Sequence, residues 1–295
     1  MNILITGAAG LLGQNLVALL SEEHIVYALI RDGEELICKN ENIKIIRSDL
    51  YSFNSDILPT DINVIYYLAQ SRRFREFPGG VFDMFEINIY SPLKCIEWAV
   101  KNGVKKFFYA SSGGVYRNPT RPVKEFFDIV VNEKNGFYID SKLCGEILLK
   151  NFSSYFETFT ILRPFFMFGP GQNRSMLIPR LIMNIKNGNE IIINNKEGIK
   201  INPIYIEDAA KAFGKLIDLE GEYIFNIAGN EIVNIKELAN LISNIADCKP
   251  VFKYVDKKQF DLVADIELMK KMLHIPEISL MDGLQKTYKS LLEDL

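Results

Sequence analysis

The chain has 295 residues, of which 48% are hydrophobic and 24% charged, and a formal net charge of −3. This length suits one large domain or two moderate ones, and the composition is that of an ordinary globular protein, not a disordered or membrane-embedded chain. So small a negative charge leaves no electrostatic footprint for nucleic acid, and the cluster Arg72-Arg73-Phe74-Arg75 reads as a solvated or substrate-facing loop. Cys38, Cys95, Cys144 and Cys248 are widely spaced without a C-x-x-C, and only His24 and His274 offer imidazoles. A metal centre, a redox pair and a Ser–His–Asp triad are therefore not expected. With no positively charged leader and no long apolar run, the expectation is a cytoplasmic protein without a membrane partner.

Asn2 to Thr6 is a short apolar run of strand formers, followed at once by Gly7-Ala8-Ala9-Gly10-Leu11-Leu12-Gly13. Leu11, Leu12, Leu16, Leu19 and Leu20 then recur at helical spacing. A strand, a glycine-rich turn and a helix N-terminus in succession make a pyrophosphate site, because glycines let the backbone approach closely and the helix start offers free N–H groups. Gly7, Gly10, Leu11, Leu12 and Gly13 are the candidate contacts. The second strand, Ile25 to Ile30, ends in Arg31-Asp32. An acid at this strand end binds the ribose 2′-hydroxyl of NAD, whereas an Arg accommodates a 2′-phosphate, so Arg31 favours NADP(H) over NAD(H).

Further strands alternate with helices. Ile43 to Ile46 leads to Ser48-Asp49-Leu50, and Val64 to Leu68 leads to Ala69-Gln70-Ser71. A helix follows from about Phe82 to Asn102, closed by Gly103, and Lys106 to Ala110 is a buried strand ending in Ser111-Ser112. Such alternation predicts an α/β fold with a doubly wound parallel sheet and ligands at the carboxyl ends of its strands, where Asp49, Leu50, Ala69, Gln70, Ser111 and Ser112 fall. Beyond them, Tyr138 and Lys142 stand four apart, on one face of a helix. An ammonium beside a phenol favours the phenolate and lowers its pKa. Tyr90…Lys94 and Tyr254…Lys258 share the spacing, but the first contains Pro92 and the second lies in a charged run.

With Gly7…Gly13, Ser111-Ser112 and Tyr138…Lys142 in place, the chain resembles the extended short-chain dehydrogenase/reductases. More narrowly it resembles the NAD-dependent epimerase/dehydratase family, which works mainly on nucleotide sugars. Thr6 to Gly13 matches the family's TGxxGxxG, and Ser111-Ser112-Gly113-Gly114-Val115-Tyr116 matches its strand-end serine motif. Leu162 to Gly171 resembles its "LRP…YGPG" turn, which makes Pro164 a further cofactor candidate, and Tyr205-Ile206-Glu207-Asp208 resembles its "V-x-D" segment. The resemblance implies that Ser112, Tyr138 and Lys142 are catalytic. Tyr138 would exchange the proton of the reacting hydroxyl, Ser112 would position its oxygen, and Lys142 would tune Tyr138 and touch the ribose. It also implies a Rossmann domain over residues 1–164 with a return near 204–228, substrate-binding segments over 165–295, and a homodimer packed through the Tyr138 helix and the helix before it. The stripe Leu148, Leu149, Phe152, Tyr155, Phe156 is expected to extend that helix, as core and in part as interface.

Two departures matter. Phe166 stands where the family often has a substrate-contacting Asn, and Ile201 where several nucleotide-sugar enzymes have an Arg near the diphosphate. Arg174, Arg180 and Lys200 are substitutes for the lost charge. Dehydratases of the family place Asp-Glu directly after the catalytic hydroxyl residue; here those positions are Gly113 and Gly114, which cannot titrate. What remains supports hydride transfer at one carbinol or keto carbon of a sugar nucleotide, by reduction or by epimerisation through a ketone. Arg31 tilts the choice to a 4-keto reductase. A reductase of a non-sugar ketone or aldehyde and a non-catalytic dinucleotide sensor are the alternatives.

Overall fold

The computed structural model describes residues 1–293 except 118, 120, 132–135 and 258. Lys258 of the third Tyr–Lys pair thus lies outside the described residues. The first half runs β1 (Asn2–Thr6), α1 (Leu11–Leu20), β2 (Ile25–Ile30), β3 (Ile43–Arg47), β4 (Val64–Tyr67), α2 (Val81–Phe85), α3 (Ser91–Lys101), β5 (Lys106–Ala110), α4 (Phe137–Lys150) and β6 (Thr158–Pro164). The second half runs β7 (Met167–Phe168), α5 (Leu177–Lys186), β8 (Glu190–Asn194), β9 (Lys200–Ile201), β10 (Ile204–Tyr205), α6 (Ile206–Gly214) and β11 (Gly221–Ile227). It closes with β12 (Val233–Asn234), α7 (Ile235–Ala246), β13 (Val251–Val255), α8 (Glu267–Met272) and α9 (Leu280–Glu293). Among the described residues, no helix is long and apolar enough to cross a membrane.

Seven strands form one sheet in the order β11-β6-β5-β4-β1-β2-β3. Each of the five successive pairs from β6 to β3 is parallel. Strand order reverses between β1 and β4, which opens a crevice at their carboxyl ends. β4 is buried at all four positions while the edge strand β3 has none buried, so the continuous apolar runs mark the strands covered on both faces. The core between sheet and helices includes Leu4, Ile65, Tyr67, Ile96, Phe107, Tyr109 and Phe159.

The chain separates into two compact units. The first comprises Met1–Val115, Ile129–Arg163 and Ala210–Phe225; the second comprises Tyr116–Asp128, Pro164–Ala209 and Asn226–Leu295. The second unit holds three small two-stranded sheets, β7 with β10, β9 with β12 and β8 with β13. Its helix α7 starts on a capping box, in which Asn234 Oδ1 accepts from Glu237 N (2.8 Å) and Glu237 Oε2 accepts from Asn234 N (2.9 Å).

Two expected elements differ. The long helix after β4 is interrupted by a π-helical turn at Glu86–Tyr90 between α2 and α3. Such a turn frees carbonyls, and here the buried Tyr67 and Tyr109 hydroxyls donate to Ile87 O (2.8 Å) and Asn88 O (3.1 Å). The helix carrying Tyr138 stops at Lys150, and Phe152, Tyr155 and Phe156 lie on and around a 3₁₀ turn. Phe156 packs on Phe107 there, with ring centroids 5.6 Å apart.

Candidate active site

At the end of β1 the chain turns sharply through Gly7, whose φ is +67°. A Cβ at Gly7 would lie 2.9 Å from the Cα and N of Ala69, and one at Gly13 would lie 2.7 Å from Ala8 Cα. The turn is therefore open only to glycine, and the buried Thr6 Oγ1 stitches it to the end of β4 by accepting from Leu68 N (3.2 Å) and Ala69 N (3.3 Å). Gly10 caps α1 without a side-chain hydrogen bond, so the first N–H groups of α1 have no side-chain cap. Leu11 and Leu12 form its first turn, with Leu12 buried.

Arg31 follows β2 and is engaged by an acid three residues on. The chain turns back through Gly33, and Glu34 Oε2 accepts from Arg31 N at 3.1 Å. Glu34 Oε1 accepts from Arg31 Nε (3.0 Å) and Nη2 (2.9 Å), and also binds the Arg72 guanidinium. Arg47 Nη1 and Gln14 Nε2 donate to backbone carbonyls of this turn, which fixes its path. Partial burial works to raise the Glu34 pKa, yet Arg31 and Arg72 hold its carboxyl below the usual range. An acid thus stands at the end of β2 in space although the sequence has Ile30 and Arg31 there. Beyond β3, Asp49 Oδ1 accepts from Tyr51 N (2.9 Å) and starts the 3₁₀ turn that contains the buried Leu50.

Ser112, Tyr138 and Lys142 come together at the carboxyl ends of β4 and β5. Gly114 N donates to Ser112 Oγ at 3.1 Å, and the Ser112 hydroxyl lies near enough to the Tyr138 phenol to favour its ionised form. Tyr138 in turn donates to Gln70 Oε1 at 2.8 Å, and its ring packs on Phe74, 5.2 Å between centroids. Withdrawal from water pushes the Tyr138 phenol up to about 12, against the smaller downward pull of Ser112. This reverses the lowering expected from Lys142, and the reason is geometric. Lys142, 1% exposed, donates to Ala110 O (2.8 Å) and Ala69 O (3.5 Å), strapping α4 to the ends of β5 and β4. Burial pushes the Lys142 ammonium down to about 7, partly opposed by Glu146 one turn further along α4. Glu146 is itself locked to β6 by Arg163 Nε and Nη2, at 3.0 and 2.6 Å, with both residues buried.

The sequence reading missed Asn88. Fully buried in the π-helical turn, it accepts from Ser71 N (3.2 Å) and donates to Ser141 Oγ (2.9 Å), tying the loop after β4 to α4. Its one visible signal was an amide among the apolar residues of a predicted helix. Ser111 Oγ is buried without a hydrogen-bond partner at the end of β5, next to Ser112. A dinucleotide fits this arrangement, because the glycine turn is a cradle that a Cβ would fill and Ser111 holds an unspent hydroxyl.

The sequence profile of the NAD dependent epimerase/dehydratase family matches residues 3–228. The chain belongs to this family. It is an enzyme of the extended short-chain dehydrogenase/reductase type with a Rossmann-like sheet. An uncharacterized UDP-glucose epimerase of Bacillus subtilis, YtcB, is 27% identical over 96% of each chain. The UDP-N-acetylglucosamine 4-epimerase of Methanobrevibacter ruminantium M1, solved with UDP-N-acetylmuramic acid, superposes with a TM-score of 0.88 at 25% identity over 100% of this chain and 99% of the other. A Bacillus cereus UDP-glucuronic acid 4-epimerase, solved with UDP-glucuronic acid and NAD, shares the fold with a TM-score of 0.87 at 24% identity over the whole of both chains.

The family's departures have definite places in the second unit. Phe166 follows Pro164, the last residue of β6, and takes a left-handed conformation with φ of +41°. Asn tolerates that region; an aromatic residue is strained there. Ile201 is fully buried, so it serves the core. Arg174, Arg180 and Lys200 are exposed. Asp208, His274 and Glu277 converge within 4.8 Å, but the Asp208 carboxylate is spent on His274 Nε2 (2.8 Å), Glu277 N (3.1 Å) and Ile278 N (2.9 Å), which pin the segment before α9.

Proposed function

We propose that this enzyme is a 4-epimerase of a UDP-linked sugar that retains NAD through both halves of its reaction. The observation that carries this is the neighbouring of the Ser112 and Tyr138 hydroxyls beside Gly113 and Gly114. Two hydroxyls can position and deprotonate a carbinol, and neither glycine carries a titratable group that could expel water. When bound, the nicotinamide supplies the hydride acceptor and then the donor. Gly7, Gly10, Leu11, Leu12 and Gly13 would hold its pyrophosphate, with Asp49, Leu50, Ala69, Gln70, Ser111, Lys142 and Pro164 lining the rest of the site. Tyr138 would take the proton of the sugar's 4-hydroxyl as general base and return it to the same oxygen once the transient ketone has turned to present its other face for reduction. Ser112, whose oxygen already accepts from Gly114 N, would donate its own proton to the same substrate oxygen.

The lean to NADP(H), and with it to a 4-keto reductase, rested on Arg31. Since Glu34 occupies the Arg31 and Arg72 guanidiniums, NAD is the better match, as in the Bacillus cereus relative's complex. The second unit would bind the sugar nucleotide. Phe166 and Ile201 favour a second reading, a reductase of a less polar carbonyl compound. We further propose a homodimer through α3 and α4, near which Phe82, Phe85 and Ile147 are 74%, 43% and 56% exposed. One experiment separates the readings: the purified protein is incubated with UDP-glucose, UDP-N-acetylglucosamine and UDP-glucuronic acid without added cofactor. Formation of the C4 epimers, with NAD released on denaturation, is the expected result. Turnover only with added NADPH and a carbonyl compound would establish the reductase.

A further inference from the structure

Gly114 and Ile139 pack directly on each other beside Ser112. Gly114 lies in the 3₁₀ turn Gly113–Val115 after β5, and Ile139 is half-buried in the first turn of α4, directly after Tyr138. A Cβ at Gly114 would collide with Cδ1 of Ile139 and would lie 3.3 Å from both Ile139 Cγ1 and Ser112 Oγ. The space a side chain would take at 114 is thus filled from the opposite element, by an apolar group whose neighbour in the chain is the catalytic tyrosine. The amide of the same glycine donates to Ser112 Oγ at 3.1 Å. The turn carrying Ser112 and the helix carrying Tyr138 therefore meet through this contact of a methyl group on a bare backbone.

We infer that Ile139 is a positioning residue, whose packing on Gly114 sets the spacing between the Ser112 and Tyr138 hydroxyls. It touches neither reacting atom. Acting through Gly114, it orients the Ser112 oxygen, so that its proton is left to donate onward. The inference rests on the function proposed above.

The test compares Gly114→Ala, Ile139→Ala, Ile139→Val and the double variant Gly114→Ala/Ile139→Ala. A misplacement of about 1 Å at a reacting group costs roughly a hundredfold in rate. Gly114→Ala, which pushes Ile139 aside, is expected to lower kcat by roughly ten- to a hundredfold with KM within about threefold of wild type. Ile139→Ala should lose roughly tenfold in kcat, Ile139→Val should keep nearly full activity, and the double variant should be faster than Gly114→Ala alone, since contacting residues are not additive. Hydrogen exchange of the Gly114 amide, followed by NMR, reads the contact without any substrate, and should speed up about tenfold in Ile139→Ala and little in Ile139→Val. A double variant no faster than Gly114→Ala, or an unchanged Gly114 exchange rate in Ile139→Ala, overturns the inference. If Gly114→Ala does not fold, the two Ile139 variants and the exchange rates decide it. Wild-type protein inert on every sugar nucleotide would refute the proposed function instead, leaving the exchange measurement to judge the contact.

Discussion

Replacing Glu34 by Gln is expected to shift dinucleotide preference towards NADP(H). The carboxylate of Glu34 pairs with both Arg31 and Arg72, whose side chains are 38% and 67% exposed. A 2′-phosphate of charge −2 held about 6 Å from that carboxylate would be repelled by roughly 1.4 kcal/mol even at the dielectric constant of water. The substitution removes this repulsion and releases a guanidinium. A charge-assisted hydrogen bond contributes about 1.5–3 kcal/mol when sheltered, of which solvent screening at so exposed a site leaves a fraction. The sum is about 2 kcal/mol, roughly a thirtyfold change in the ratio of the two dissociation constants. Titration of stripped protein with NADH and NADPH, followed by nicotinamide fluorescence, measures that ratio directly. Raising the salt from about 0.05 to 0.5 M should shrink the change, since the Debye length falls well below 10 Å. A ratio within threefold of wild type, or wild-type protein that already prefers NADPH, refutes the role given to Glu34.

Tyr138→Phe should retain cofactor and lose roughly two to four orders of magnitude in turnover; near-normal activity would remove Tyr138 from the mechanism. Lys142→Met gives a pH test with a definite sign. The folded pKa of Lys142 is about 7 against 10.5 when unperturbed, so between these values the unfolded chain binds the extra proton and stability rises with pH. The unfolding free energy of wild type should therefore climb relative to Lys142→Met from pH 7 upward, and parallel curves would show that Lys142 is not desolvated. At residue 166, Asn should be more stable than Ala by about 1 kcal/mol, because Asn relieves a left-handed backbone that Ala does not; equal denaturant midpoints would place φ of Phe166 elsewhere.

Much of the site was legible along the chain because its parts are short and local. The glycine turn, the strand-end serines and the Tyr138–Lys142 spacing each lie within one turn or one helix face, where periodicity and backbone freedom speak directly. The parallel sheet followed from the same alternation of apolar runs. Pairings between residues distant in sequence were hidden, and Lys142 marks the boundary. Its spacing from Tyr138 is local and visible. The carbonyls of Ala110 and Ala69 that hold its ammonium come from the ends of β5 and β4 and meet only when the sheet forms, and burial there outweighs its reach to Tyr138.

Glu34 makes the same point at the cofactor end. Its carboxylate reaches the end of β2 because the chain doubles back through Gly33 and because Arg72, 38 residues further on, arrives at the end of β4. Asn88 joins Ser71 to Ser141 only because the π-helical turn aims its amide between them. Sequence by itself determined which local pieces of backbone could form and which chemical groups they carry. Tertiary structure alone decided which charges are neutralised, which are desolvated and which hydroxyls meet, because those energies depend on distance and burial between segments that the chain order keeps apart.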